Sequence, residues 1–348
     1  MKKPWPICRG LKKGEKDVGR RIGVLTSGGD APGMNAAVRT IVRTALHYNL
    51  EPWAIYRGYH GLIRGEIEPM DSRSVSGIIQ RGGTILKSAR SDQFRTPEGR
   101  AKAVDMLDKH GIDSVIVIGG DGSFRGALSL QELGVKVICI PATIDNDIAC
   151  TDYSIGFDTA VNNVMDAVNK IRDTASSHER VYVVEVMGRA SGYIALYSGL
   201  AGGADVILIP EVPYDLEQVC QQIQKANSMG KTYNIVMVAE GVRPISGTKG
   251  DGSPSLEIGR YIQERAGFDT RITILGHIQR GGAPTVRDRL LASRLGYHAI
   301  ELVYQGKGGK MLGEVDQAVK SFDLSYVLAQ EKQLNLDYYH LSNILSSI

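Results

Sequence analysis

Val115-Ile116-Val117-Ile118-Gly119-Gly120-Asp121-Gly122-Ser123 and, some twenty residues on, Val137-Ile138-Cys139-Ile140-Pro141-Ala142-Thr143-Ile144-Asp145-Asn146-Asp147 decide the fold of this chain. Each is an apolar run, rich in Val and Ile, that breaks into an acidic turn. Near-continuous apolar strands are the mark of parallel sheets covered on both faces. The carboxyl ends of such strands are where open α/β sheets bind ligands. Two neighbouring strand ends of this kind predict a site for phosphate and a divalent cation.

The same alternation extends in both directions, from residue 21 almost to residue 305. Strands are expected at 22–26, 52–56, 114–118, 137–140, 181–186, 206–209, 235–239 and 271–275. Helical patterns fall between them at 35–48, 100–109, 123–133, 159–174, 216–229, 256–265 and 288–304. Strand–helix alternation of this sort gives an α/β protein with mostly parallel sheets. Residues 244–255, rich in Gly, Ser and Pro, read as a flexible loop. The 348 residues suffice for two domains.

Composition excludes several function classes. A formal net charge of only +3, with no long basic run after residue 20, gives no nucleic-acid surface. No apolar run reaches the ~18 residues of a membrane helix. Residues 1–20 carry Lys2, Lys3, Lys12, Lys13 and Lys16 without an apolar core, so they are expected to form a basic arm rather than a secretory signal. Cys8, Cys139, Cys150 and Cys220 are scattered without CxxC pairing, as in a cytoplasmic protein with reduced thiols.

Three further segments bear on chemistry. Ser27-Gly28-Gly29-Asp30-Ala31-Pro32-Gly33-Met34-Asn35 follows the first strand and opens a helix, where backbone N–H groups can crowd an anion. A tight βα turn without ligand would read the same way. No GxxxxGK[ST] is present, which rules out a P-loop. Asp121 either holds Mg²⁺ in the manner of phosphate-bound cations or caps the following helix. In the Thr143–Asp147 segment one carboxylate can serve as general base while the other steadies metal or backbone; Asp and Asn also favour turns for purely local reasons. Arg90, Arg95, Arg180, Arg189, Arg271 and Arg280 sit at strand ends or beside glycine turns, where guanidinium groups bind phosphate in bidentate fashion. His277 shares its segment with Arg280. Six such arginines in a nearly neutral chain favour a substrate with phosphate at both ends.

Taken in order, LTSGGDAPGMNAA from Leu25, GGTIL from Gly82 with SAR after it, GGDGS from Gly119, TIDND from Thr143, SSHERVYVVEVMGR from Ser176 and LGHIQRGG from Leu275 resemble the bacterial-type ATP-dependent 6-phosphofructokinases, from about Arg21 to about Gly313. The resemblance implies two stacked three-layer α/β/α domains with the active site in the cleft between them. One is a discontinuous nucleotide-binding domain, 21–156 with about 279–325, and the other a fructose 6-phosphate-binding domain, 157–278. Residues 326–348 are left as a C-terminal tail. It implies a homotetramer with shared active sites and transfer of the γ-phosphate of MgATP to the C1 hydroxyl of fructose 6-phosphate, a glycolytic step. Asp145 then matches the general base. Thr143 and Asp147 match residues positioning substrate and metal, and Asp121 the Mg²⁺-linked carboxylate. Gly28, Tyr59, Arg90, Phe94, Arg95, Gly120, Gly122, Ser123 and Gly126 fall on nucleotide-site positions, with Arg90 spanning the transferring phosphate. Met187, Gly188, Arg189, Glu240, His277 and Arg280 match the sugar-phosphate site, and Arg180 and Arg271 match arginines that reach the 6-phosphate from a neighbouring subunit.

Pyrophosphate-dependent relatives typically carry Asp where Gly122 stands and Lys where Ala142 stands, so this chain favours ATP; Lys87, where many ATP-dependent relatives have glycine, adds a cation near Arg90. Of the family's effector positions Arg39, Arg43, Arg172 and Lys231 remain, with Asp205 in place of a glutamate. Ser72, Gly77 and Met229 replace an arginine, an aspartate and a lysine. The implied regulation by ADP and phosphoenolpyruvate is weak or altered. Kinases of NAD or diacylglycerol share GGDG but lack TIDND and HIQRGG. A catalytically silent sensor would have lost Asp145, Asp121 or Arg189, and all three are present.

Overall fold

The computed structural model describes residues 19–178, 180–243 and 253–346. Most of the expected basic arm and of the 244–255 loop lies outside the described residues. The first half of the chain forms β1 (Arg21–Thr26), α1 (Met34–His47), β2 (Glu51–Ile55), α2 (Gly58–Arg64), β3 (Ile67–Pro69), α3 (Pro97–Lys109), β4 (Ile112–Gly119), α4 (Asp121–Glu132) and β5 (Lys136–Pro141). Then come α5 (Phe157–Ser176), β6 (Val181–Val186), α6 (Tyr193–Ala201), β7 (Val206–Leu208), α7 (Leu216–Ser228), β8 (Asn234–Ala239), α8 (Pro254–Ala266) and β9 (Thr270–Ile274). The last part comprises α9 (Val286–Tyr304), β10 (Lys310–Val315), β11 (Ala318–Asp323), α10 (Leu324–Leu328) and α11 (Asp337–Ser346).

Two sheets result. One has the order β11-β10-β5-β4-β1-β2-β3, parallel except for β3 and β11 at its edges. The other, β7-β8-β6-β9, is wholly parallel. Strand β4 shows why its sequence had to be continuously apolar. Val115 and Val117 face one core with Val137 and Cys139, whereas Ile116 and Ile118 face the other with Ile138 and Ile140. Successive side chains of a strand point to opposite faces, and here both faces are covered. Burying each such side chain contributes about 1.5–3 kcal/mol. The Ile116 face belongs to a core that continues into the second sheet through Val181, Val183, Val236 and Val238.

Strands β1 and β4 are neighbours, yet the chain leaves β1 towards β2 and β4 towards β5. The strand order therefore reverses between them, and a crevice opens beyond their carboxyl ends at that point. The turns after β1, β4 and β5 all empty into it. Asp288, in the first turn of α9, closes the far side of the β5 connection. Its buried carboxylate accepts hydrogen bonds from Gly156 N, Thr159 N and Thr159 Oγ1, at 2.9, 2.9 and 2.5 Å, and so caps the start of α5.

Candidate active site

A cleft of about 940 Å³ occupies this crevice. Its floor is made by the turns after β1 and β4, which lie in close contact. Ser27 N donates to Ile118 O at 3.0 Å, and a methyl group on Gly119 would sit 2.5 Å from the Ser27 carbonyl. Gly28 adopts φ 86°, the left-handed region open to glycine. The segment after Gly82 folds over this floor because Asn35 holds it: its amide donates to Arg81 O and Gly82 O, and its carbonyl accepts from Ile85 N. Ser88 Oγ then donates to Gly28 O at 2.5 Å, bringing Arg90, Phe94 and Arg95 to the cleft wall. Lys87 lies exposed at φ 60°, in the left-handed region that favours glycine, and it does not line the cleft.

Tyr59 stacks on Phe94 with ring centroids 4.1 Å apart and donates its hydroxyl to Ser123 O at 2.5 Å. Gly126 makes room for that ring, since a methyl group there would lie 2.7 Å from it. Gly122 is different: a side chain at this position would meet no protein atom within 4 Å. A larger residue at Gly122 would enter the open cleft wall beside Gly120, Asp121 and Ser123. Asp121 begins α4 and, rather than capping the helix, pairs with Arg125 one turn on at 2.9 Å. Among the described residues no group of three or more His, Cys, Asp or Glu gathers to hold a metal. One accessible carboxylate in a cleft suits Mg²⁺ that brings phosphate and water as its other ligands.

The acidic segment after β5 forms a tight strap. Ala142 N donates to Gly119 O, tying it to the β4 turn. Asn146, at φ 52°, donates to Asp152 O at 3.1 Å and accepts from Ser154 N at 2.9 Å, closing the loop. Asp145 is thereby held at 8% exposure, and its Oδ1 has no hydrogen-bond partner among the described residues. Such an unmade bond costs about 1–3 kcal/mol and marks a place where a ligand completes the site. Burial, with Asp147 and Glu240 nearby, pushes the Asp145 carboxyl up to about 6 against the pull of Arg280 and Arg189. Burial also raises Asp147.

The opposite wall comes from the second sheet and the turn after β9. Arg189 adopts φ 58°, and its N–H donates to Glu240 Oε1 at 2.7 Å; Gly188 N donates to the same oxygen at 3.2 Å. Met187 N donates to Gln279 Oε1 at 3.2 Å. Arg280 reaches back across the cleft to Asp30 O at 3.2 Å, and His277 lines the same wall. Thr143, Asp145, Asp147, Arg189, His277 and Arg280 thus meet the residues around Gly28, Tyr59 and Asp121 in one cavity. Met187, Gly188 and Glu240 support it through backbone and carboxylate contacts.

Arg180 and Arg271 are not brought there. Both pair with Asp269, at 2.7 and 2.9 Å, at the amino ends of β6 and β9, opposite to the carboxyl ends that face the cleft. Asp205 and Lys231 pair with each other on a second cavity of about 610 Å³ between α6, α7 and α11. Arg172 donates to Gly202 O nearby, while Arg39 and Arg43 on α1 do not line that cavity.

Sequence reasoning missed three supports. Ser191 Oγ donates to Asp145 O at 2.8 Å, Arg125 pairs with Asp121, and Lys332 Nζ donates to Asp152 O at 3.0 Å. Only the Asp121–Arg125 pair had a local signal, its i, i+4 spacing on a helix. The Lys332 ammonium is pushed down to about 8 by burial, opposed by Asp152 and Asp147.

A glycine-walled, arginine-rich cleft at a strand-order reversal, with a buried carboxylate free to accept a proton, defines an α/β phosphotransferase. The comparisons with known proteins agree. The family profile described as Phosphofructokinase matches residues 21–303, and the chain belongs to the phosphofructokinase family. It is 54% identical over 330 residues to an ATP-dependent 6-phosphofructokinase of Halothermothrix orenii, covering 94% of this chain and 99% of that one. It is 53% identical over 327 residues to an ATP-dependent 6-phosphofructokinase of Clostridium botulinum, with the same coverage of 94% and 99%. Among solved structures, phosphofructokinase from Saccharomyces cerevisiae superposes with a TM-score of 0.82 at 33% identity, over 94% of this chain and 48% of the yeast chain.

Proposed function

We infer that this phosphofructokinase transfers the γ-phosphate of ATP to the C1 hydroxyl of fructose 6-phosphate, with Asp145 as general base. The observation that carries the reading is the Asp145 carboxylate, buried and unpartnered at Oδ1, in the same cleft as the Gly120–Ser123 turn. A base near 6 is mostly ionised at neutral pH yet still basic enough to take a hydroxyl proton as the bond forms. Arg90 and Arg189 supply positive charge to the phosphoryl group in flight; positioning and charge stabilisation do most of the work in such transfers. Tyr59 and Phe94 offer an apolar wall beside the nucleotide, and open space at Gly122 leaves its phosphates unhindered. When bound, Mg²⁺ would neutralise charge on those phosphates next to Asp121.

On this reading the sugar phosphate spans Met187–Arg189, Glu240, His277 and Arg280, and its 6-phosphate needs Arg180 and Arg271 of a neighbouring subunit. The nucleotide domain is 21–156 with about 279–325, and the sugar-phosphate domain 157–278. A homotetramer fits the exposed apolar residues Ile274 on edge strand β9, Ile278 after it, and Val286 and Leu290 on α9. No helix among the described residues is long and apolar enough to cross a membrane; the substrates and the free thiols Cys139, Cys150 and Cys220 fit a cytoplasmic enzyme. Assay of the purified protein with fructose 6-phosphate and either ATP or pyrophosphate tests the donor. Turnover with ATP is expected, and turnover with pyrophosphate alone overturns the reading.

A further inference from the structure

The strap that carries Asp145 and Asp147 leans on one carbonyl, Asp152 O, and two donors converge on it. One is the Asn146 amide at 3.1 Å, from within the strap; the other is Lys332 Nζ at 3.0 Å, from 180 residues further along the chain. The Lys332 ammonium also lies over the Tyr193 ring, 4.9 Å from its centroid. Tyr193 opens α6 two residues after Ser191, whose hydroxyl donates to Asp145 O. The next residue, Gln333, accepts the Tyr193 hydroxyl through its carbonyl at 2.9 Å. The Asp152 carboxylate, for its part, accepts Asp316 N at 2.9 Å, which fixes the strap to the β10–β11 hairpin. Lys332 and Gln333 therefore sit where the strap, α6 and the C-terminal segment meet. From there the segment runs into α11, which packs on α6 through Tyr338 against Tyr197, 5.3 Å between ring centroids.

We propose that Lys332 is a positioning residue for phosphoryl transfer: by bonding Asp152 O together with Asn146 and stacking on Tyr193, it locks the strap so that Asp145 meets the C1 hydroxyl. The proposal rests on the reading of Asp145 as the base. Lys332 does not line the cleft and touches no substrate atom by this account. A charged donor to a backbone carbonyl is among the stronger hydrogen bonds, and an ammonium on an aromatic face adds to it. Removing the charge while keeping the stem, Lys332→Met, leaves Asp152 O with one donor and Tyr193 without its cation. The strap then samples positions in which Asp145 is misplaced, and small misplacements of a reacting group cost rate steeply. The 6-phosphate, gripped by arginines on other elements, is unaffected.

The test compares wild type, K332M and K332R. Expected for K332M is a kcat about tenfold lower per folded protein, with the KM for fructose 6-phosphate within twofold, and K332R recovering most of the loss. Folded protein is quantified by circular dichroism, so that a merely destabilising effect shows as less enzyme rather than slower enzyme. Amide exchange across 145–154 gives a readout independent of turnover: it should quicken in K332M and not in K332R. A K332M enzyme with wild-type kcat, a K332R enzyme as slow as K332M, or unchanged exchange in the strap each overturns the proposal. The base assignment fails on a different result, a D145N enzyme that turns over within tenfold of wild type, so the two claims fail separately.

Discussion

Replacing Asp145 by asparagine should make the protein more stable and almost inactive, in a pH-dependent way that the structure fixes. The folded-state carboxyl titrates at about 6 instead of 3.8, chiefly because it is buried. Ionising it in the folded chain rather than the unfolded one therefore costs at most about 3 kcal/mol. The sign follows from proton counting. Between 3.8 and about 6 the unfolded chain has lost this proton and the folded one keeps it, so wild-type stability falls as pH rises through that window. Below it both states are protonated, and the penalty vanishes; above it the penalty is complete. Asparagine, neutral and nearly the same shape, escapes the cost. The D145N protein should thus melt with wild type near pH 4 and a few °C above it at pH 7. Its kcat should fall about a hundred- to ten-thousandfold, as for loss of a general base, with little change in fructose 6-phosphate binding. Scanning calorimetry at pH 4, 5.5 and 7 with a coupled assay on the same samples measures both. A melting difference that does not open with pH, or a D145N enzyme within tenfold of wild type, would rule out a buried base at this position.

Other outcomes follow from the same geometry. Wild-type kcat/KM should rise with pH through about 6, with roughly one-tenth of the base ionised at pH 5 and nine-tenths at pH 7; a flat profile between those values removes Asp145 from the role. Gly126→Ala forces the Tyr59 ring aside, so the KM for ATP should climb about tenfold while that for fructose 6-phosphate stays near wild type, measured by varying each substrate in turn. Arg271→Ala and D145N proteins, each nearly inactive alone, should regain activity when unfolded and refolded together, because a hybrid assembly can build a site from one intact base and one intact arginine. Failure of every mixing ratio would confine the site to a single chain. ADP should move the half-saturating fructose 6-phosphate concentration less than about threefold, since Lys231 is already paired with Asp205 and charge-assisted contacts carry such ligands.

The strands were legible because β1, β4, β5, β6 and β8 are buried on both faces, which leaves few polar positions, such as Ser114 and Glu185, to blur the run. Helices with a clear apolar stripe, such as α1, α5 and α7, read equally well. Most of what escaped was short, exposed or apolar all round; β10, buried but broken by Gly313 and Glu314, escaped as well. Helix α2 is seven residues with two glycines, β11 is exposed along most of its length, and α6 lacks a polar face because it is buried between α5, β7 and α11. The site divides in the same manner. Gly28, Asp121, Asp145, Arg189 and Arg280 announce themselves, each lying within a few residues of a strand end where glycine and charge stand out against Val and Ile. Ser191 and Lys332 carry no such mark, for their partners are 46 and 180 residues away and no local pattern encodes a contact of that range.

Crystals grown with fructose 6-phosphate and a non-hydrolysable ATP analogue test directly whether the Asp145 carboxylate faces the sugar alcohol across from the phosphoryl donor. An Asp145 oxygen is expected about 2.6–3.2 Å from the C1 hydroxyl, with the γ-phosphate on that hydroxyl's other side. A C1 hydroxyl that instead rests against another group, with Asp145 still unpartnered, would contradict it.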